Sequence, residues 1–236
     1  YIFGSTLRHA IASVNGIYVT PGPFSFYRHS IIEEIGGFRY GHQTEDMEMA
    51  LRIQRAGYRI ENAPRARVYT KAPETLSKLI KQRTRWTSGF LRNILGEYRT
   101  LIGNHRHGAL GMLMLPSALL SIGSSILLFS LLIVMFTRHV ASVLDIRFGI
   151  PLSYAVIPHG SFDWFYFPMS FYLFLGAITL LASISLITIG KRISKTPGNL
   201  PFDIASYVLL YAFVAPLWLI SATSDVARGK RRGWRY

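Results

Sequence analysis

Between residues 73 and 98, in PETLSKLIKQRTRWTSGFLRNILGEY, apolar residues return at spacings of three and four. At 3.6 residues per turn, Leu76, Leu79, Ile80, Phe90, Leu91, Ile94 and Leu95 share one side, which predicts an amphipathic helix. Glu74 and Thr75 start it and Gly96 weakens its end. The rest of the chain divides around this helix. Residues 108–136 carry no charge, and further apolar stretches follow at 165–189 and 201–224. About 20 residues of helix cross the hydrocarbon of a bilayer, so each stretch predicts a transmembrane span. Pro116 either kinks the first or marks where an interfacial part enters the bilayer, and Trp164 to Phe167 form an aromatic belt before the second. The amphipathic helix is then a joint, residues 73–107, lying at the membrane surface with its apolar side toward lipid or protein. A basic tail, 228–236, follows a membrane region of 108–227.

Upstream, residues 1–72 are polar and mixed. Ile17 to Thr20 and Phe24 to Arg28 predict short strands either side of a Thr20-Pro21-Gly22-Pro23 turn. Ser30 caps a short helix, Ile31 to Ile35, ended by Gly36-Gly37. Thr44 caps a helix from Glu45 to Ala56, ended by Gly57, with Met47, Ala50, Leu51 and Gln54 on its inner side. Residues 58–72 predict two more strands split at Pro64. The expected fold class is α/β, followed by an α-helical transmembrane region.

Charge sharpens this division. Charged residues make up 16% of the chain, below the roughly 25% of soluble domains. The net charge of +14 comes from basic clusters in 81–107, 191–195 and 228–235, beside the apolar stretches. That placement favours a membrane surface as partner over nucleic acid, which needs basic and aromatic residues interleaved on a soluble surface. With no cysteine there is neither a disulfide framework nor a thiolate metal site. A cytoplasmic soluble part puts 137–163 outside and 190–200 inside, in agreement with the positive-inside rule. A third full crossing would put the basic tail outside, against the rule, so one apolar stretch is expected to be interfacial or re-entrant.

Three groups of residues carry candidate chemistry. Gln82, Arg85 and Trp86 lie at i, i+3 and i+4, presenting an amide, a guanidinium and an indole together, as a sugar ring and a diphosphate require. Glu45, Asp46 and Glu48 have two accounts: acids favour the first helical turn through the dipole, or one of them is a general base beside a pocket. Adjacent acids point in different directions, so at most one would act. The Thr20–Pro23 turn is either a plain hairpin loop or a place where backbone approaches a ligand closely.

Thr44-Glu45-Asp46, followed by Gln82-Arg83-Thr84-Arg85-Trp86 and then apolar spans, resembles the processive family 2 glycosyltransferases. These include synthases of poly-N-acetylglucosamine, cellulose, chitin and hyaluronan. Pro-Glu-Thr-Leu with Lys-Gln-Arg-x-Arg-Trp looks most like the poly-N-acetylglucosamine synthases. The loop from Thr20 to Arg28 is closer to hyaluronan or chitin-oligosaccharide synthases. The resemblance implies an inverting transfer from a nucleotide sugar, a UDP-sugar, to a glycan or lipid acceptor at the cytoplasmic side of the cell membrane. Asp46 becomes the catalytic base, with Glu45 beside it. Gln82, Arg85 and Trp86 would bind the donor diphosphate and the acceptor end, Thr20, Pro21, Gly22 and Pro23 would line the acceptor site, and Arg83 and Thr44 are further substrate-binding candidates. A divalent metal, Mg or Mn, is implied for the complete enzyme. The family binds it through acidic motifs including an Asp-x-Asp, which this sequence lacks. Residues 1–72 therefore resemble only the second half of a GT-A-type domain, and the expectation is a C-terminal fragment, inactive alone, with metal ligands outside this chain. The competing expectation is a non-catalytic transporter or assembly protein with a small cytoplasmic cap. It would need intramembrane charges or broken helices, which the apolar stretches almost wholly lack.

Overall fold

A computed structural model describes residues 11–20, 22–42, 44–63, 66, 71–145, 171–194 and 199–230. Their elements are α1 (His29–Glu34), α2 (Glu45–Arg55), α3 (Leu76–Leu95), 3-10 turns at Arg99–Leu101 and His105–His107, a π turn at Leu110–Met114, α4 (Leu115–Asp145), α5 (Phe171–Ser194) and α6 (Leu200–Ala227). No strand occurs among the described residues. The strands expected at 17–20 and 24–28 are instead irregular chain, with Phe24 at a φ of 66°. β-branched alternation specifies a strand only when a second strand pairs with it. Here the Thr20 hydroxyl bonds across to the start of α2 instead. Part of the expected 58–72 pair, and residues 165–170 of the second span with the Trp164–Phe167 belt, lie outside the described residues.

The helix α1 begins two residues earlier than expected, with Arg28 rather than Ser30 at its N-cap. The helix α2 buries Met47, Ala50, Leu51 and Gln54, as its periodicity predicts, and also Met49 and Ile53, which the periodicity did not place inside. Gln54 donates from Nε2 to the Ile17 carbonyl at 3.0 Å and to Asn15 Oδ1 at 3.1 Å, fixing the preceding loop. Two cores flank α2. One joins Ala12, Ile17, Ile35, Met49, Ala50, Ile53 and Ile60. The other joins Met47 and Leu51 to Phe90, Leu91 and Ile94 of α3, then to Tyr98, Leu101, Leu110 and Leu115. Each fully buried aliphatic side chain contributes roughly 1.5–3 kcal/mol.

The Thr75 hydroxyl caps α3 by accepting from Lys78 N at 3.2 Å. The apolar side of α3 faces protein: α2 on one flank, α6 along another. Leu76 and Leu95, placed on that side by the periodicity, are about half exposed, at 50% and 52%. They are the first and last residues of the helix. Arg92 reaches from α3 to the end of α6, donating to the Asp225 carbonyl at 3.0 Å and the Lys230 carbonyl at 2.6 Å. On α6, Val214, Trp218, Ala222 and Asp225 are buried.

Among the described residues one helical segment, Leu110–Ser142, is long and apolar enough to cross a membrane; the apolar segments Gly176–Ser185 and Phe213–Ala227 are shorter. Pro116 lies inside a continuous helical run, directly after the π turn at Leu110–Met114, so its missing N–H leaves one ladder bond unmade at the junction where the helix changes from π to α.

Candidate active site

The start of α2 meets the middle of α3 at the candidate residues. Gly89 is in the interior of α3, and a Cβ there would collide with Thr44 Oγ1 and lie 2.5 Å from Thr44 Cγ2. Only glycine lets the two elements approach this closely. One turn on, Asn93 Nδ2 donates to Thr44 Oγ1 at 3.2 Å and to the Gly41 carbonyl at 3.3 Å. The Thr44 hydroxyl has one proton and donates it to the Gly41 carbonyl at 2.8 Å. Thr44 thus occupies the N-cap position of α2, but its hydroxyl serves the α3 contact rather than capping the helix, a correction to the expected cap. Gly89→Val is expected to force these helices apart, at about 1–3 kcal/mol, readable as a lower thermal midpoint. Serine at the same position is expected to cost less.

Asp46 follows immediately. Its backbone carbonyl accepts from Thr20 Oγ1 at 3.0 Å, and its Oδ1 accepts from Met47 N at 2.9 Å. Because the Thr20 proton is committed, Tyr27 is the donor in the 2.8 Å Tyr27–Thr20 hydroxyl contact. Partial burial raises the Asp46 carboxyl above the usual aspartate value; the Met47 N–H opposes this, the charge of Glu45 adds to it, and the Gly22 N–H lowers it. The loop at Thr20–Gly22 and the Asp46 carboxylate are therefore brought together. Pro21 lies outside the described residues, and Glu45 is exposed at the helix start.

On α3, Gln82, Trp86, Gly89 and Asn93 are spaced four, three and four apart, and so fall on one side of the helix. The last two are the clamp on Thr44. Gln82 and Trp86 continue the same stripe toward the start of α3. Trp86 is 36% exposed, and the Arg83 guanidinium lies over its ring at 4.7 Å from the centroid. Arg85, half-buried, borders the stripe. Asp46 stands at the start of α2, two residues from Thr44, while Gln82 and Trp86 fall on the same side of α3 as the Gly89 and Asn93 that hold Thr44.

A second, buried network supports α2 from behind. Arg52 pairs with Glu48 Oε2 at 2.9 Å, with both side chains at most 4% exposed. It also donates to the Ile35 and Gly37 carbonyls at 2.8 and 2.7 Å. Tyr98 OH donates to Glu48 Oε1 at 2.6 Å. Burial, then this bond to Glu48, pushes the Tyr98 hydroxyl well above its usual range. Glu48 is thus held by the Arg52 and Tyr98 side chains as well as standing in the first turn of α2.

Sequence reasoning missed Gly89, Asn93, Tyr27 and Tyr98. The first two had a signal: a lone glycine inside a helical pattern marks close approach, and an asparagine in an apolar stripe needs a partner. The tyrosines had none. As for the implied divalent metal, no three His, Asp or Glu side chains converge among the described residues, and Asp46 has only exposed Glu45 beside it. These residues do not fit a metal centre.

Residues 8–220 match the glycosyl transferase family group 2. The chain is 32% identical over 84 residues to the poly-beta-1,6-N-acetyl-D-glucosamine synthase of Staphylococcus aureus (strain COL), a stretch covering 36% of this chain and 19% of that protein. It is 38% identical over 73 residues to the probable glycosyltransferase YdaM of Bacillus subtilis (strain 168), covering 31% of this chain and 17% of that protein. The chain's match thus spans under a fifth of the length of these relatives. No solved structure matches it. Because the family match runs through nearly the whole chain, including the Thr44–Asp46 and Gln82–Trp86 motifs, the chain belongs to the glycosyl transferase family group 2.

Proposed function

We propose that this chain carries the acceptor side of an inverting glycosyltransferase that moves a sugar from a nucleotide sugar, a UDP-sugar, to a glycan or lipid acceptor. The observation that carries this is the α2–α3 clamp. It joins the start of α2, which carries the partly desolvated Asp46 carboxylate, to the side of α3 on which Gln82 and Trp86 also fall. In the reaction the acceptor oxygen bonds to the anomeric carbon, the bond from that carbon to the diphosphate oxygen breaks, and the acceptor proton passes to the Asp46 carboxylate. A raised pKa suits a base that works near neutrality. The exposed part of the Trp86 indole offers a platform for a sugar ring, and Gln82 and Arg85 offer an amide and a cation for hydroxyls and diphosphate. Arg83 steadies the indole from one side. The donor- and metal-binding acids are supplied by sequence outside this chain, a reading supported by the absence of Asp-x-Asp here. On that reading, 1–72 is the C-terminal half of the catalytic domain, 73–107 the joint and 108–227 the membrane region.

Membrane insertion is part of the proposal. Along α4, Leu120, Met135 and Phe136 are 73%, 69% and 65% exposed. An apolar surface of this extent requires lipid or a partner. The catalytic part then lies on the cytoplasmic side of a multi-pass protein.

The test is transfer to acceptor oligosaccharides by the intact protein, wild type against Trp86→Ala. The expected result is a fall of about tenfold to a hundredfold in kcat/KM, equivalent to about 1.4–2.7 kcal/mol, with Trp86→Phe retaining most activity. Unchanged kinetics in Trp86→Ala would remove the indole from the site.

A further inference from the structure

We propose that Arg99, Arg106, Arg228 and Lys230 form a cationic collar at the foot of α4 that binds the headgroups of anionic phospholipids. This rests on the membrane reading of α4 given above. The four residues come from two places in the chain more than 120 positions apart, and the fold gathers them. Leu101, Leu110 and Leu115 share one buried cluster, against which Ile102, Met114 and Val226 pack. Gly103 N donates to the Gly111 carbonyl at 2.9 Å, pinning the 3-10 turns to the start of the apolar segment. Arg92 draws the end of α6 to the same place through the Asp225 and Lys230 carbonyls. The turns bearing Arg99 and Arg106 and the segment bearing Arg228 and Lys230 therefore surround the point where the apolar segment 110–142 begins.

All four side chains are exposed, and among the described residues none has an acidic partner. The nearby acids are otherwise engaged: Glu97 pairs with Arg55 at 2.9 Å, and Asp225 is buried. Four uncompensated cations beside an exposed apolar helix match an anionic leaflet in both charge and hydrophobicity. A cation near such a surface strengthens association by roughly fivefold, so four give on the order of several-hundred-fold, weakened by salt.

The experiment uses the full chain in a neutral detergent and follows its thermal midpoint on addition of phosphatidylglycerol, phosphatidylcholine or inorganic phosphate. The expected result is a rise with phosphatidylglycerol alone, at a lipid concentration at least tenfold below any effect of phosphatidylcholine, and abolished by about 0.5 M salt. The variant Arg99→Gln/Arg106→Gln/Arg228→Gln/Lys230→Gln is expected to lose this preference. If it does not fold, the salt dependence of the wild type and the pair Arg228→Gln/Lys230→Gln decide instead. Equal responses to both lipids, a preference insensitive to salt, or an equal response to inorganic phosphate overturns the collar. A chain that stays monodisperse without detergent overturns the membrane reading itself, whereas a detergent-dependent chain with no lipid preference overturns only the collar.

Discussion

Replacing Asp46 by asparagine is expected to abolish sugar transfer by the intact protein while leaving the fold in place. General base catalysis contributes about 100- to 10,000-fold, and an amide has no basic lone pair to offer the acceptor proton. The amide oxygen still accepts from Met47 N, so the local geometry survives. Stability should move the other way. Burial raises the Asp46 pKa in the folded state, so the contribution of this group to stability is fully present below the unfolded value and is lost as pH rises through the folded value. At neutral pH the ionised carboxylate therefore costs stability, and Asp46→Asn is expected to melt at or above the wild-type temperature. The same shift fixes the pH profile. Activity rises as Asp46 ionises, so the acid limb should have its midpoint above the ordinary aspartate value. Glu45→Gln removes a charge that raises this pKa, and should move the midpoint down while preserving transfer. A normally active Asp46→Asn enzyme would remove Asp46 as the base.

Arg52→Met is the substitution expected to cost the most stability. It strips the partner from Glu48, which is buried with 3% of its side chain exposed, and frees the Ile35 and Gly37 carbonyls. Breaking a buried pair from one side costs about 3–5 kcal/mol, a large part of the roughly 5–15 kcal/mol that holds a domain together. Glu48→Leu with Arg52→Met should regain much of that loss, since no charge is then left buried alone. Tyr98→Phe removes one donor to Glu48 and should cost about 1–3 kcal/mol. Denaturant melts of the three variants test this order; equal stability of Arg52→Met and wild type would show that the pair contributes nothing net.

Local pattern made α2 and α3 legible. Glu45–Arg55 and Leu76–Leu95 each have a run at helical spacing, a polar N-terminal signal and a glycine near the C-terminal end. The motif residues could be placed on those helices because helix geometry alone puts Gln82, Arg85 and Trp86 together. What failed depended on partners distant in sequence. Residues 17–20 and 24–28 have strand-like composition, but strand formation needs pairing that sequence alternation does not supply. The helix α6 is apolar nearly all round, so nothing local distinguishes a lipid-facing span from a helix whose later half packs on α3 through Trp218 and Ala222. The tie between Glu48 and Tyr98 crosses 50 positions, and that between Arg92 and Lys230 crosses 138. Neither leaves a periodic trace. The role of Gly89 is an intermediate case: its presence inside α3 was visible, but the Thr44 side chain that requires it was not.

If α2 and α3 form two walls of one sugar-transfer site, the structure of the intact Asp46→Asn protein with an acceptor oligosaccharide bound should show a terminal sugar ring stacked on Trp86, with one hydroxyl within about 2.6–3.2 Å of the amide that replaces the carboxylate at position 46. A sugar bound elsewhere, with Trp86 and position 46 both free of it, would rule this arrangement out.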